Sequence, residues 1–154
     1  MDIRKKPATK WKIPLYKVHV EKDDVKIVSK VIKRGAYWAI GPEIEEFENK
    51  LANYIGTNFC VTFNSGTSAG HAALIAAGIK QNDQIIVPSF TFISTANWVK
   101  MVNAKLKFCD IEEETLGIDP NHIKKNISKQ TKVIMPVHYA GLPCQINEIA
   151  KKYN

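Results

Sequence analysis

The sequence predicts an α/β fold, a mostly parallel sheet with helices on both faces in a three-layer α/β/α arrangement, and three observations predict it. Short, near-continuous apolar runs, FCVTF (Phe59 to Phe63), QIIVP (Gln84 to Pro88), KLKFCD (Lys105 to Asp110) and KVIMPV (Lys132 to Val137), have the length and the β-branched and aromatic content of strands covered on both faces. Each is followed by a stretch with helical signals, HAALIAAGI, FTFISTANWVKMVN, a short segment opened by Asp119 and Pro120, and QINEIAKKYN. Strand and helix therefore alternate, the order of crossover connections between parallel neighbours.

Two helices precede this alternation. Val25, Val28, Val31 and Ile32 recur at helical spacing behind Asp23 and Asp24, which favour an N-terminus, and Gly35 stands where a left-handed stop belongs. The turn-rich stretch GAYWAIGP leads to Pro42 as a first-turn residue. Ile44, Phe47, Leu51 and Tyr54 follow with helical period, and Gly56 ends the run. After FCVTF a helix is expected from about Thr67 to Ala77 with Gly78 as its cap.

Composition narrows the functional class. With 154 residues, 45% of them apolar, the chain is of the size of one domain and can bury a core. No stretch approaches the roughly 18 to 20 apolar residues of a membrane span, and no apolar segment follows the basic start MDIRKKPATKWK, so a soluble cytoplasmic protein is expected. Cys60, Cys109 and Cys144 contain no CxxC pair, and His19, His71, His122 and His138 lack metal-ligand spacing; neither a disulfide framework nor a metal site is expected. The net charge of +7 hints at an acidic partner, yet the lysines are dispersed except in the tail of residues 1–12, and no RNA-binding signature or zinc finger points to nucleic acid.

Four stretches carry candidate chemistry. NSGTSAG, Asn64 to Gly70, joins a predicted strand to a predicted helix. The first N–H groups of a helix lack intrahelical partners and lie at the positive end of its dipole, so such a junction attracts an anion. Gly66 lets backbone approach closely, and Thr67 and Ser68 add hydroxyls, which suits a phosphate; the alternative is that Ser65 or Thr67 is a simple N-cap. The P-loop lysine and the GxGxxG spacing are both absent, so neither ATP nor NAD is favoured. PSFTFISTAN, Pro88 to Asn97, offers Phe90 and Phe92 at a strand's carboxyl end, where ligands bind in open α/β sheets, either as stacking platforms or as core. PVHYAG, Pro136 to Gly141, offers His138 as a ligand contact or as a satisfied core histidine. GAYWAIGP offers Tyr37 and Trp38 as a substrate lip or as packing.

Taken in order, IPLYKVHV, GAYWAIGPEIEEFENKLANYIG, NSGTSAGHAAL, IIVPSFTFISTAN and VIMPVHYAG make the chain from Ile13 onward resemble, segment by segment, the pyridoxal-phosphate-dependent nucleotide-sugar aminotransferases of the DegT/StrS type. The resemblance implies fold type I, that of aspartate aminotransferase, with residues 1–154 as the N-terminal part of the large domain, and a homodimer with active sites at its interface. It implies that Gly66, Thr67 and Ser68 hold the phosphate of pyridoxal 5'-phosphate and that Phe92 stacks on its ring. His138, Tyr37 and Trp38 would then lie toward the substrate. The implied reaction moves an amino group, usually from glutamate, to a nucleotide-linked keto-sugar.

The same resemblance places the lysine that attaches the cofactor, and the aspartate that pairs with its ring nitrogen, in motifs that this sequence does not contain. None of the lysines present stands in that context, so no catalytic residue is assigned. The expectation is one part of a longer enzyme, a chain completed by a second one that carries the lysine, or a truncated gene product. A non-catalytic module of the same fold is the competing class, and a sugar dehydratase relative is a further alternative. Gly70 and Gly117 depart from the family pattern, which would touch substrate contacts.

Overall fold

A computed structural model describes residues 17–153 and divides into two compact units that meet in sequence at Cys60 and Val61. The basic tail of residues 1–12 and the start of IPLYKVHV lie outside the described residues.

The first unit holds α1 (Lys22–Arg34) and α2 (Pro42–Ile55). Local chemistry sets their ends. Glu21 and Asp24 cap the start of α1 reciprocally, the Glu21 N–H donating to Asp24 Oδ2 at 2.8 Å. Gly35 (φ 73°) and Gly56 (φ 81°) stop the two helices in the left-handed region that side chains disfavour. The periodic residues Val25, Val28 and Ile32 of α1 remain exposed, because nothing among the described residues covers that face.

The second unit contains α3 (Gly66–Ala76), β1 (Gln84–Pro88), α4 (Ile93–Met101), β2 (Lys105–Cys109), α5 (Pro120–Asn126), β3 (Thr131–Ile134) and α6 (Ile146–Tyr153). All strand pairings are parallel, in the order β2-β1-β3. The central strand is the most apolar, and its residues from Ile85 to Pro88 are buried. Alternation sends Ile85 and Val87 to one face, where they pack with Leu74 of α3 and Val99 of α4. Ile86 faces the other side and packs with Ile123 of α5 and Ile149 of α6. The predicted three layers are therefore present. Exposed Lys105 and Lys107 charge the edge strand β2, a feature that discourages pairing with a further chain.

The sheet departs from expectation at two places. FCVTF forms no strand. It is not part of the sheet, and Phe59, Val61 and Phe63 are exposed, because a strand exists only through ladder bonds to a neighbour and the sheet's three members are β1, β2 and β3. KVIMPV is a strand only as far as Ile134: beyond it Met135 still donates to the Ile86 carbonyl at 2.9 Å, and the chain then turns away through Pro136.

Candidate functional site

Parallel strands bring their carboxyl ends to one edge, and the loops that leave β1 and β3 there face the N-terminus of α3. Together they enclose a cleft of about 610 Å³, within the range of small-ligand sites. Gly66 and Thr67 of α3, Thr91 and Phe92 after β1, Ser94 and Trp98 of α4, and the segment from Met135 to Ala140 after β3 line it. The two loops are tied together by the rings of Phe90 and Tyr139, whose centroids are 4.4 Å apart.

Ser65, in extended conformation (φ −161°), is the N-cap of α3, and its Oγ accepts the Ser68 N–H at 3.1 Å. Ala69 N–H donates to the Ser65 carbonyl, also at 3.1 Å. Of the first-turn donors this leaves the Gly66 and Thr67 N–H groups without a partner among the described residues, and both residues line the cleft. Ser68 does not line it, and its hydroxyl lies 3.1 Å from that of Ser65. Ser65 is thus the N-cap, and the donors it leaves over belong to two residues of the cleft wall. Replacing Ser65 with alanine should cost about 1 kcal/mol of stability in urea denaturation.

Neither backbone nor packing requires glycine at position 66. Its φ lies outside the left-handed region, and a Cβ built on it meets nothing within 4 Å. The missing side chain keeps the cleft open above two free N–H groups, so the donor set and the space fit a phosphate group.

Phe92 precedes the first residue of α4 and is 75% exposed, so it is an exposed ring on the cleft wall and not core. His138 is exposed as well, and its Nδ1 accepts the Cys144 N–H at 3.1 Å. With Nδ1 as acceptor, the neutral ring carries its proton on Nε2, a hydrogen-bond donor on a residue of the cleft wall.

Tyr37 and Trp38 belong to the first unit and are 69% and 67% exposed. Arg34 shapes their loop: Nε donates to the Ala36 carbonyl (3.0 Å), Nη2 to the Tyr37 carbonyl (2.8 Å) and Nη1 to both Glu43 oxygens (2.8 and 2.9 Å). Tyr37 takes a left-handed conformation (φ 55°), an unfavourable one for a tyrosine that this brace holds in place. Backbone hydrogen bonding first, and then the Arg34 guanidinium, lower the Glu43 pKa below 4.5. A carboxylate with a depressed folded-state pKa stabilises at pH values above its unfolded value and loses that effect as pH falls through the folded value. The brace should therefore hold at neutral pH and loosen only below pH 4.5, a titration that carbon NMR of the Glu43 carboxyl would follow. An inflection at or above 4.5 would contradict it.

Sequence reasoning passed over Trp98. A Cβ built on Gly70 would lie 2.3 Å from Trp98 Cε2, so the indole sits directly against the glycine. The departure at Gly70 is accordingly a packing feature, and so is that at Gly117, whose Cβ would lie 2.3 Å from Cys144 Cβ. Only the tertiary contact reveals either.

An α/β/α layered fold with a helix N-terminus, an exposed aromatic ring and a histidine around one cleft defines a class, that of open α/β sheets with a ligand-sized crevice at the carboxyl edge of the strands. The particular family follows from comparison: residues 18–153 match the family model of the DegT/DnrJ/EryC1/StrS aminotransferases, and the chain belongs to that family. It is 35% identical over 129 residues to UDP-2-acetamido-2-deoxy-3-oxo-D-glucuronate aminotransferase of Pseudomonas aeruginosa, covering 82% of this chain and 36% of that protein. Among solved structures, the aminotransferase from Psychrobacter cryohalolentis superposes with a TM-score of 0.80 at 31% identity, covering 86% of this chain and 34% of the other. The ntda protein of Bacillus subtilis, solved with bound cofactor PMP, superposes with a TM-score of 0.77 at 28% identity, covering 86% and 31%. The chain thus spans about a third of the length of these relatives, and its fold is that of the corresponding part of the fold type I enzymes. Among the described residues no helix is long and apolar enough to cross a membrane.

Proposed function

We propose that this chain is the phosphate-holding N-terminal part of a pyridoxal 5'-phosphate-dependent aminotransferase that passes an amino group, with glutamate as the expected donor, to a nucleotide-linked keto-sugar. The observation that carries the reading is the pair of unpartnered N–H groups at Gly66 and Thr67 on the cleft that also holds Phe92 and His138. The N–H groups of both residues and the Thr67 hydroxyl donate to the phosphate oxygens, aided by the positive end of the α3 dipole. Ser68 supports the same turn through its N–H, which donates to Ser65 Oγ at 3.1 Å. Phe92 would hold the pyridine ring by stacking. His138 Nε2–H would donate to an acceptor at the substrate side; Tyr37 and Trp38 are assigned to substrate contact as well.

When bound, the cofactor supplies the electron sink that the reaction needs, while the protein supplies orientation and electrostatics. We assign the covalent attachment to none of this chain's lysines, so the chain by itself is expected to be inactive. The setting we propose is a cytoplasmic homodimer in polysaccharide biosynthesis, with the lysine downstream in a longer chain or on a second one.

The test is Thr67→Ala in the native-length protein. Loss of hydrogen bonds to a charged group should weaken pyridoxal 5'-phosphate binding by about tenfold. Unchanged affinity would remove the Thr67 hydroxyl from the site, and equal affinity of the parent protein for pyridoxal 5'-phosphate and pyridoxal would remove the phosphate assignment.

A further inference from the structure

The cleft has a floor to which no role has been given. On α3, Gly66 and Gly70 are four residues apart and share one face, and on α4, Ser94 and Trp98 do the same. These faces meet, because the Trp98 ring occupies the place of the Gly70 side chain: Cε2, Cδ2 and Cζ2 lie 2.3, 2.5 and 2.6 Å from where a Cβ would stand. Trp98 also packs with the cluster of Leu74, Ile85, Val87 and Val99, so its body is anchored to the sheet. Its Nε1 is buried with no hydrogen-bond partner among the described residues. The indole is therefore held there by its shape and not by a polar bond, even though an unpaired buried N–H opposes the placement.

We propose that Trp98, seated on Gly70, is a positioning residue for the phosphate site: it sets the spacing of α3 and α4 and so the distance from the Gly66 and Thr67 donors to the Phe92 platform. The proposal rests on the phosphate reading above. Gly66 and Thr67 open α3, Phe92 caps α4, and the contact joins Gly70, about one turn into α3, to Trp98, about one and a half turns into α4. A ligand that spans donors and platform reads that spacing directly, whereas a ligand lacking the phosphate uses the platform alone.

The experiment measures the ratio of pyridoxal 5'-phosphate to pyridoxal affinity in the native-length protein for Gly70→Ala, Trp98→Leu, the two combined, and Thr67→Ala. Gly70→Ala forces the helices apart and should lower the ratio about tenfold, since misplacement on the scale of one ångström costs that much or more. Trp98→Leu should lower it several-fold, and the combined variant, in which the smaller leucine makes room for the new Cβ, should return to within about threefold of the parent. A purely structural contact would weaken both ligands equally and leave the ratio unchanged in every variant, which overturns the proposal; losses that simply add in the combined variant overturn it as well. If Gly70→Ala shows no cooperative thermal transition, Trp98→Leu decides alone, a lowered ratio supporting the role and an unchanged one ending it. The parent protein separates the two failures, with Thr67→Ala reading the hydroxyl's share of the ratio. A parent ratio near one removes the phosphate site and the positioning role together, while a parent ratio well above one beside unaltered Gly70 and Trp98 variants removes only the positioning role.

Discussion

Ile86→Ala is expected to lower the folding free energy by about 2–5 kcal/mol, the range for deleting a fully buried aliphatic side chain that leaves a cavity. Ile86 is 0% exposed on the central strand, and it packs in one cluster with Cys109 of β2, Ile118 and Ile123 before and on α5, and Cys144 and Ile149 before and on α6. Such a site collapses poorly. The backbone on either side is pinned by the ladders to β2 and β3, so the neighbours cannot close over the lost atoms. Urea denaturation with an unchanged m-value measures the loss. A change below about 1 kcal/mol would mean that the layer of α5 and α6 is not seated on the sheet as described.

Gly117→Ala is the second large effect and acts through excess volume. The added Cβ would lie 2.3 Å from Cys144 Cβ and 3.1 Å from Cys144 Cα, and those atoms belong to backbone or are fixed directly to it. The loop before it cannot yield easily. Thr115 Oγ1 accepts the Gly117 N–H at 3.2 Å, the Gly117 carbonyl accepts from Glu112 at 2.9 Å, and the Glu112 carboxylate accepts from the Glu114 and Thr115 backbone. A cost of about 1–3 kcal/mol is expected. Because the clash is with Cβ, Cys144→Ala should not relieve it and Cys144→Gly should do so in part. Thermal melts of the three variants decide this, and rescue by alanine would refute the geometry. Gly66→Ala is the contrasting case: with nothing within 4 Å, it should leave stability nearly unchanged.

Much of the candidate site could be read from residue order. Gly66, Thr67, Phe92 and His138 lie in separate stretches of the sequence and meet at one cleft: Phe92 and His138 follow strands of a parallel sheet, which gathers such segments at one edge, and the start of α3 with Gly66 and Thr67 reaches it because α3 packs on α4. Ser68 stands in the same motif yet outside the cleft lining, because its N–H and hydroxyl meet Ser65, a partition of first-turn donors that residue types do not disclose. Trp98 and Gly70 carried no signal as a pair, since a glycine within a helix and a tryptophan within another are each ordinary alone.

The sequence by itself determined the features set within a few residues. The helix ends at Gly35, Gly56 and Asp119, the apolar central strand and the donor-rich start of α3 follow from φ preferences, caps and periodicity, all of which act locally. The tertiary structure alone decided which strands pair, so FCVTF, with a strand's composition, lies outside the sheet and α1 keeps its apolar stripe exposed. It also decided that two glycines receive the side chains of distant residues. The physical reason is common to these cases: a ladder bond, a covered face and a close approach each need a partner far away in sequence, and no local pattern specifies that partner.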